Sequence, residues 1–207
     1  MLPGVGGSGA RVVVDPAALP WRALARLQVP GESRCTAVLI GRRTALTAGH
    51  CLFGRRLGHD MPAGSVHLLT GYAAGRFARH STALGYRRAA DGADVALLTL
   101  AEPIGLDVLP LAPGDPPVGT AVMLGGYNQD RSEVIEADIA CHVIAVASGR
   151  VVHDCAGTHG TSGAPLLARG ADGAWRIVGL QVAAFTDRAG GVAVAASRLM
   201  RLSATGD

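Results

Sequence analysis

Short apolar runs separated by turn-forming residues recur along the whole chain, and the period of an amphipathic helix is almost absent. This pattern is typical of many short strands joined by tight turns. Only the segment at 193–202 is predicted to be a helix, while 21–27 fits either a helical turn or the start of the first strand. The runs predicted to be strands are TAVLI (36–40), SVHLLTG (65–71), DVALLTL (94–100), AVMLGGY (121–127), CHVIAVA (141–147), APLLA (164–168) and WRIVGLQVAAF (175–185).

The distribution of these runs predicts an all-β chain with two halves. A proline-rich stretch at 111–120, LAPGDPPVGT, is the best candidate for the connection between them. The chain of 207 residues then divides into residues 11–110 and residues 111–207. About a hundred residues is a usual size for one domain. The letters ADG at 171–173, directly before the last strand run, favour a hairpin.

Charge and composition narrow the class of partner. The formal net charge is +3, and all 19 basic residues are arginines scattered along the chain. A nucleic-acid binder usually has a basic stripe with interleaved aromatic residues, whereas aromatic residues make up only 4% here. No run approaches the roughly 20 apolar residues of a membrane span. We therefore expect neither a nucleic-acid partner nor a membrane span.

The number and spacing of the cysteines indicate an oxidising compartment. Their number is even, and they occur at Cys35, Cys51, Cys141 and Cys155. Two compact spacings fit two disulfides and an oxidising environment. We expect a secreted or periplasmic protein, although the first ten residues, MLPGVGGSGA, have no features of a signal peptide. If the protein is exported, a signal has already been removed.

A zinc site is the alternative use of the second cysteine pair. It would combine Cys141, His142, His153 and Cys155. Adjacent residues on a strand point to opposite faces, so Cys141 and His142 could not easily share a metal. We expect no metal and no cofactor.

A histidine stands at the end of one predicted strand. In TALTAGHC (44–51), His50 is followed at once by Cys51, and Cys35 lies one strand and one turn upstream. A lone histidine at such a place is usually structural or simply exposed. A disulfide between the two cysteines would lie directly under the histidine and would stabilise the fold by about 3 kcal/mol. It would also fix the main chain, as a general base requires.

An aspartate and a serine complete a candidate constellation. Asp94 precedes a strongly apolar strand, where it is either a turn former or a buried partner that orients a histidine. In GTSGAP (160–165), Gly160 allows its own N–H and that of Ser162 to converge as an oxyanion hole. A flexible linker would explain the glycines, but not why they give way at once to a strand. The pattern of α/β-hydrolases is not met, because Ala164 stands where they have glycine.

The order histidine, aspartate, serine is that of the chymotrypsin type. TAGHC, DVALL and GTSGAP together resemble the three sequence boxes of the chymotrypsin/trypsin-like serine proteases. GGYNQDR and HDCAGTHGTSGAPLL are similar to the bacterial subgroup related to the glutamyl endopeptidases. The resemblance implies two six-stranded antiparallel Greek-key β-barrels and a short C-terminal helix. It places His50 and Asp94 in the first barrel and Ser162, with the substrate pocket, in the second.

The resemblance also implies the roles. Ser162 would attack a peptide carbonyl, His50 would carry the proton, and Asp94 would orient His50. Thr161 stands where the family often has an acidic residue, so the usual ion-pair activation switch is not expected. Gly49 replaces a common alanine, which would loosen the main chain beside His50.

The pocket for the side chain before the cut is expected to be neutral and to take a small or medium residue. No aspartate lies at its expected base, and Gln181 stands where the glutamyl endopeptidases have a histidine. His159 could instead serve a substrate carboxylate, or it could lie exposed at the rim. The expected pocket residues are Ala156, Gly157, Thr158, His159, Gln181, Val182, Ala183 and Ala184.

Several expectations complete this interpretation. A second disulfide, Cys141–Cys155, would flank the serine loop, and YNQDR (127–131) would form a loop around Asp130 and Arg131 rather than a site. The protein would be a monomer acting on proteins or peptides. Two other functions stay open: a non-catalytic homologue that binds a partner, and an esterase that uses the same three residues.

Overall fold

The computed structural model describes residues 2–5 and 10–204, and almost all of its regular structure is β-strand. The strands are β1 (Arg11–Val13), β2 (Leu24–Val29), β3 (Ser33–Gly41), β4 (Thr44–Ala48), β5 (Phe53–Gly54), β6 (His59–Asp60), β7 (His67–Thr70), β8 (Arg79–Arg88), β9 (Val95–Leu100), β10 (Ala121–Gly126), β11 (Glu136–Ala147), β12 (Arg150–His153), β13 (Pro165–Arg169), β14 (Trp175–Ala184) and β15 (Gly191–Ala195). The α-helix α1 (Ala196–Ala204) follows β15, and four short 3₁₀ turns span Trp21–Ala23, Gly49–Leu52, Ala63–Ser65 and Gln129–Arg131.

The first half forms a closed antiparallel barrel in the order β2-β3-β4-β9-β8-β7. Its interior is filled by apolar residues from alternate positions, among them Leu27, Leu39, Leu68 and Leu98, all at most 1% exposed. The small hairpin β5–β6 lies between β4 and β7 in the sequence. The barrel therefore presents its loops, including the turn after β4, on a rigid base.

The second half closes in the same way. Its strands follow the order β11-β10-β13-β14-β15-β12, and β12 pairs back with β11. The short strand β1 extends this sheet by pairing with the start of β11. The predicted fold class, two six-stranded antiparallel barrels, is confirmed.

The two barrels share one apolar cluster. Trp21, Leu24 and Leu46 from the first half pack in the same cluster as Tyr127 and Leu180 from the second. Helix α1 also contacts both halves, since it packs on β14, β15 and β9. A continuous apolar contact of this kind fixes the barrels relative to each other and defines the cleft between them.

All seven predicted strand runs lie on observed strands, and the ADG turn connects β13 and β14 as a hairpin. The segment 21–27 contains both predicted alternatives, a 3₁₀ turn followed by β2. The predicted helix at 193–202 was wrong at its start, because residues up to Ala195 belong to β15 and the helix begins at Ala196.

The boundaries of the two halves stay a prediction, with one amendment. Residues Arg11–Val13 fall in the predicted first half, but β1 pairs with β11 of the second sheet. The predicted connection at 111–120 lies in the segment between β9 and β10. Among the described residues, no helix has the length and apolar character needed to cross a membrane.

Candidate active site

His50 lies in the 3₁₀ turn Gly49–Leu52, which follows directly after β4. The turn is fixed from two sides. Cys51 forms a disulfide with Cys35 on β3, and the first N–H of the turn donates to the main-chain carbonyl of Asp94 at 3.1 Å. The expected bridge beneath the histidine is present, and it holds the main chain that carries the imidazole.

Asp94 holds His50 through both of its carboxylate oxygens. Oδ1 accepts the His50 main-chain N–H at 2.7 Å, and Oδ2 lies 2.6 Å from His50 Nδ1. Partial burial acts to raise the pKa of Asp94, but the hydrogen bonds and charge of His50, with the charge of Arg88, outweigh it. The pKa of Asp94 therefore lies below its ordinary value, and the group is a carboxylate at neutral pH.

Gly49 makes room for a cation beside this pair. A Cβ at this position would lie 2.8 Å from Arg88 Nη1 and 2.9 Å from Asp94 Oδ1. Arg88 is itself held by Asp60, through hydrogen bonds of 2.6 and 3.1 Å. The sequence suggested that this glycine loosens the main chain. The structure shows instead a buried, hydrogen-bonded residue whose missing side chain admits Arg88.

Ser162 lies in a tight turn between the loop 154–161 and β13. Gly160 has a φ of +93°, which a residue with a side chain rarely adopts. Within the described chain, the N–H groups of Gly160 and Ser162 donate to no protein acceptor. Both donors are therefore free for a ligand, as an oxyanion hole requires.

His50 and Ser162 line the same cleft, which has a volume of about 490 Å³ and also contains Gly160. Ser162 Oγ makes no hydrogen bond to His50 or to any other described residue, and the one side-chain bond of His50 goes to Asp94. A missing hydrogen bond between the serine and the histidine is common in unliganded sites, because this bond often forms only when substrate binds. The structure thus brings His50 and Ser162 to one cleft, with Asp94 hydrogen-bonded to His50.

Two buried polar residues that the sequence did not single out hold the serine loop. The hydroxyl of Thr36 on β3 donates to the Gly160 carbonyl at 2.9 Å, and its N–H donates to the Ser162 carbonyl at 2.9 Å. Asn128 Oδ1 accepts the Thr158 N–H at 3.1 Å. The first of these contacts crosses from one barrel to the other.

Beside Ser162, the cleft continues into a pocket of about 270 Å³. Of the expected pocket residues, Ala156 and Gly157 do not line it; both are buried behind it, and a Cβ on Gly157 would meet the core residue Leu124 at 2.9 Å. The exposed side chain of Arg55 was not expected here. The lining residues are His50, Arg55, Thr158, His159, Thr161, Ser162, Gln181, Val182, Ala183 and Ala184.

Gln181 is committed to the protein rather than to a ligand. Its Oε1 lies 2.6 Å from His153 Nε2, and its Nε2 donates to the Ala183 carbonyl at 2.9 Å. Burial lowers the pKa of His153, more strongly than the hydrogen bond to Gln181 and the charges of Asp154 and Asp138 raise it. His153 is therefore neutral at pH 7, and no charged group underlies the pocket at this point.

His159 is exposed and reaches the rim of both the cleft and the pocket. Thr161, in contrast, is buried, and its hydroxyl donates to the Thr158 carbonyl at 2.6 Å. Asp130 and Arg131 do not pair with each other in the loop 127–131: Asp130 pairs with Arg11 at 2.6 Å, and Arg131 pairs with Glu136 at 3.3 Å.

The second disulfide, Cys141–Cys155, is present and closes the start of the serine loop. Metal-type clusters among the described residues are Cys35, His50 and Cys51, and Cys141, Asp154 and Cys155. In each cluster the two sulfurs are joined to each other, so neither offers a thiolate. The zinc alternative is contradicted for the same reason.

Comparisons with known proteins bear on the family and the fold. The family model for the trypsin-like peptidase domain matches residues 35–180. A solved structure described as a Glu endopeptidase in complex with MPD superimposes with a TM-score of 0.84, at 18% identity, covering 97% of this chain and 98% of that one. At this identity the likeness concerns the fold. No curated protein sequence matches the chain.

Proposed function

This chain belongs to the trypsin-like peptidase domain family, and on that premise we propose that it is a serine endopeptidase. The observation that carries the proposal is the bond of 2.6 Å between His50 Nδ1 and Asp94, on a cleft that His50 shares with Ser162. A histidine oriented in this way leaves Nε2 as the group that can take a proton from a serine hydroxyl.

The reaction follows from these positions. Ser162 Oγ attacks the peptide carbonyl carbon, while His50 Nε2 removes its proton and then donates it to the leaving amine. The acyl-enzyme so formed is hydrolysed by water along the same route. Asp94 remains ionised and stabilises the imidazolium, which agrees with its lowered pKa. The N–H groups of Gly160 and Ser162 bind the oxyanion of both tetrahedral intermediates.

The pocket beside Ser162 favours a neutral side chain that forms hydrogen bonds. Thr158 lines it, is 1% exposed, and has a hydroxyl without any partner among the described residues. A buried unpaired hydroxyl costs about 1–3 kcal/mol, which a ligand can recover. The amide of Gln181 is already engaged with His153. We therefore propose glutamine, asparagine or a hydroxylated residue before the cut.

The two disulfides suit an oxidising environment, so we propose that the enzyme acts outside the cytoplasm. The proposed substrates are proteins or peptides, and the proposed state is a monomer.

Covalent labelling tests the proposed activity. A fluorophosphonate probe should label the native protein and leave Ser162→Ala unlabelled, whereas Ser65→Ala, a change outside the cleft, should label normally. A folded native protein that stays unlabelled would contradict the proposal. Parallel assays on peptides and simple esters complete the test, because hydrolysis of esters alone would make the protein an esterase.

A peptide library tests the proposed pocket. Thr158→Val removes the hydroxyl and keeps the shape, so kcat/KM should fall about tenfold for substrates with glutamine before the cut. Substrates with alanine there should be cut as before, and they serve as the internal control. Dominant cleavage after glutamate in the native protein would refute a neutral pocket and implicate Arg55 and His159, the cationic and titratable side chains at its rim.

A further inference from the structure

The segment Leu2–Val5 lies against the second barrel and bonds to two separate loops there. The Gly4 N–H donates to the Phe185 carbonyl at 2.5 Å. The Gly4 carbonyl accepts two hydrogen bonds, from the Gly157 N–H at 3.1 Å and from the Gly190 N–H at 3.2 Å. One residue therefore joins the segment before Ser162 to the turn that follows β14.

These two loops are the continuations of the pocket walls. Thr158 and Ala184 line the pocket, one on each of these two walls. Gly157 directly precedes Thr158, and Phe185 directly follows Ala184. The last backbone pair between β12 and β15 is His153 with Gly191. Beyond that pair, the hydrogen bonds described for 155–160 and 184–190 do not join these loops directly. Among the described residues, hydrogen bonds connect the two loops through Gly4.

The contact requires glycine at position 4. Gly4 has a φ of +76°, and a Cβ there would lie 2.0 Å from the Gly157 carbonyl oxygen and 2.8 Å from the Ala184 Cβ. Real Cβ atoms do not approach a carbonyl oxygen this closely, and a main-chain oxygen at this place cannot move without moving the wall. The fit is therefore between two main chains and leaves no room for a side chain.

We propose that Leu2–Val5 is a clasp that holds the two walls of the substrate pocket together, with Gly4 as its positioning residue. The proposal rests on the proposed function only in taking this pocket as the place where the peptide binds. The clasp works through neutral main-chain groups. It is thus different from an activation switch based on an ion pair, for which Thr161 offers no charge.

The consequence of the clasp concerns substrate binding more than the chemical step. Gly160 and Ser162 are held from the other side by Thr36. Release of the clasp should therefore loosen the walls at Gly157 and Ala184 and leave the nucleophile in place. We expect KM for peptides to rise while the reactivity of Ser162 toward a small probe stays the same.

The test compares Gly4→Ala with Gly75→Ala in the full chain. Gly75 also has a positive φ, +81°, but a Cβ there meets nothing within 4 Å, so it controls for main-chain strain alone. Hydrogen exchange followed by NMR should show the Gly157 and Gly190 amides exchanging at least about tenfold faster in Gly4→Ala, since each loses its acceptor. In Gly75→Ala, both amides should keep their native rates.

Kinetics provide the second measurement. In Gly4→Ala, kcat/KM for peptides should fall about tenfold, mainly through KM, while fluorophosphonate labels Ser162 at the native rate. Native exchange rates in Gly4→Ala, or unchanged KM, would overturn the clasp. If the native protein neither cuts peptides nor reacts with the probe, the proposed function fails, and the exchange rates still decide whether Gly4 joins the two loops.

Discussion

At the scale of single residues, the candidate site depends on places where main chains approach too closely for a side chain. A Cβ on Gly160 would lie 2.2 Å from the Tyr127 carbonyl oxygen, and one on Gly163 would lie 2.1 Å from the Thr36 carbonyl oxygen. Both glycines have positive φ. The turn around Ser162 is therefore fixed by contact with β3 and with the end of β10, in addition to its hydrogen bonds.

The substitution Gly160→Ala should remove one of the two proposed oxyanion donors without touching His50, Asp94 or Ser162. The new Cβ would push residue 160 away from Tyr127 and turn its N–H out of the cleft. We expect kcat for peptides to fall about 100- to 1,000-fold with little change in KM. Steady-state kinetics check this, with Gly119→Ala as control, because Gly119 has a φ of +84° and open space around it. Equal kcat values in the two variants would show that the Gly160 N–H plays no part.

The residues that the sequence identified each carry a local signal. His50 stands beside a cysteine, Asp94 precedes an apolar strand, and Ser162 lies among glycines. Thr36 and Asn128 carry none, because their partners lie 124 and 30 residues away along the chain. A role that depends on such a contact appears only when the fold is known.

At the scale of elements, two strands show where pattern analysis reached its limit. β8 has exposed or half-buried residues at eight of its ten positions, so it lacks a clear apolar alternation and was not predicted. The last three residues of β15 fall in the predicted helix 193–202, and two of them are alanine, a strong helix former. The pairing of β15 with β12 and β14 outweighs that preference. In both strands, neighbours distant in sequence decide the structure.

The disulfide Cys141–Cys155 ties β11 to the start of the serine loop. Replacing both cysteines by alanine should lower the free energy of unfolding by about 3 kcal/mol, because the unfolded chain regains the freedom of the closed loop. Denaturant unfolding measures this. The matched variant without Cys35–Cys51 should lose a similar amount, since the two loops have nearly equal lengths, 14 and 16 residues. A loss below about 1 kcal/mol in the first variant would contradict the loop argument.

At the scale of the whole molecule, the buried His153 links stability to pH. Burial lowers its pKa below the ordinary value of 6.5, so the unfolded chain binds a proton more readily than the folded one. The contribution of this residue is complete above pH 6.5 and is lost as the pH falls toward the folded pKa. In that range, stability should decrease by up to about 1.4 kcal/mol per pH unit.

Substitution isolates this effect. His153→Gln keeps a donor for Gln181 and removes the titration, so its unfolding free energy should depend less on pH between 7.5 and 5 than that of the native protein, by up to about 1.4 kcal/mol per pH unit. His142→Gln, at an exposed position, is the control and should follow the native curve. Identical pH dependence in His153→Gln and the native protein would exclude His153 as the cause.

The division of the site between the barrels has a consequence for the protein while it folds. His50 and Asp94 belong to the first barrel, Ser162 and its glycines to the second, and the hydroxyl of Thr36 connects the two. On the proposed mechanism, a chain in which only one barrel has folded has a base without a nucleophile, or a nucleophile without a base. Until both barrels have folded, such a protease would be harmless to its own unfolded copies. Activity would begin only at the last step of folding, when the barrels dock.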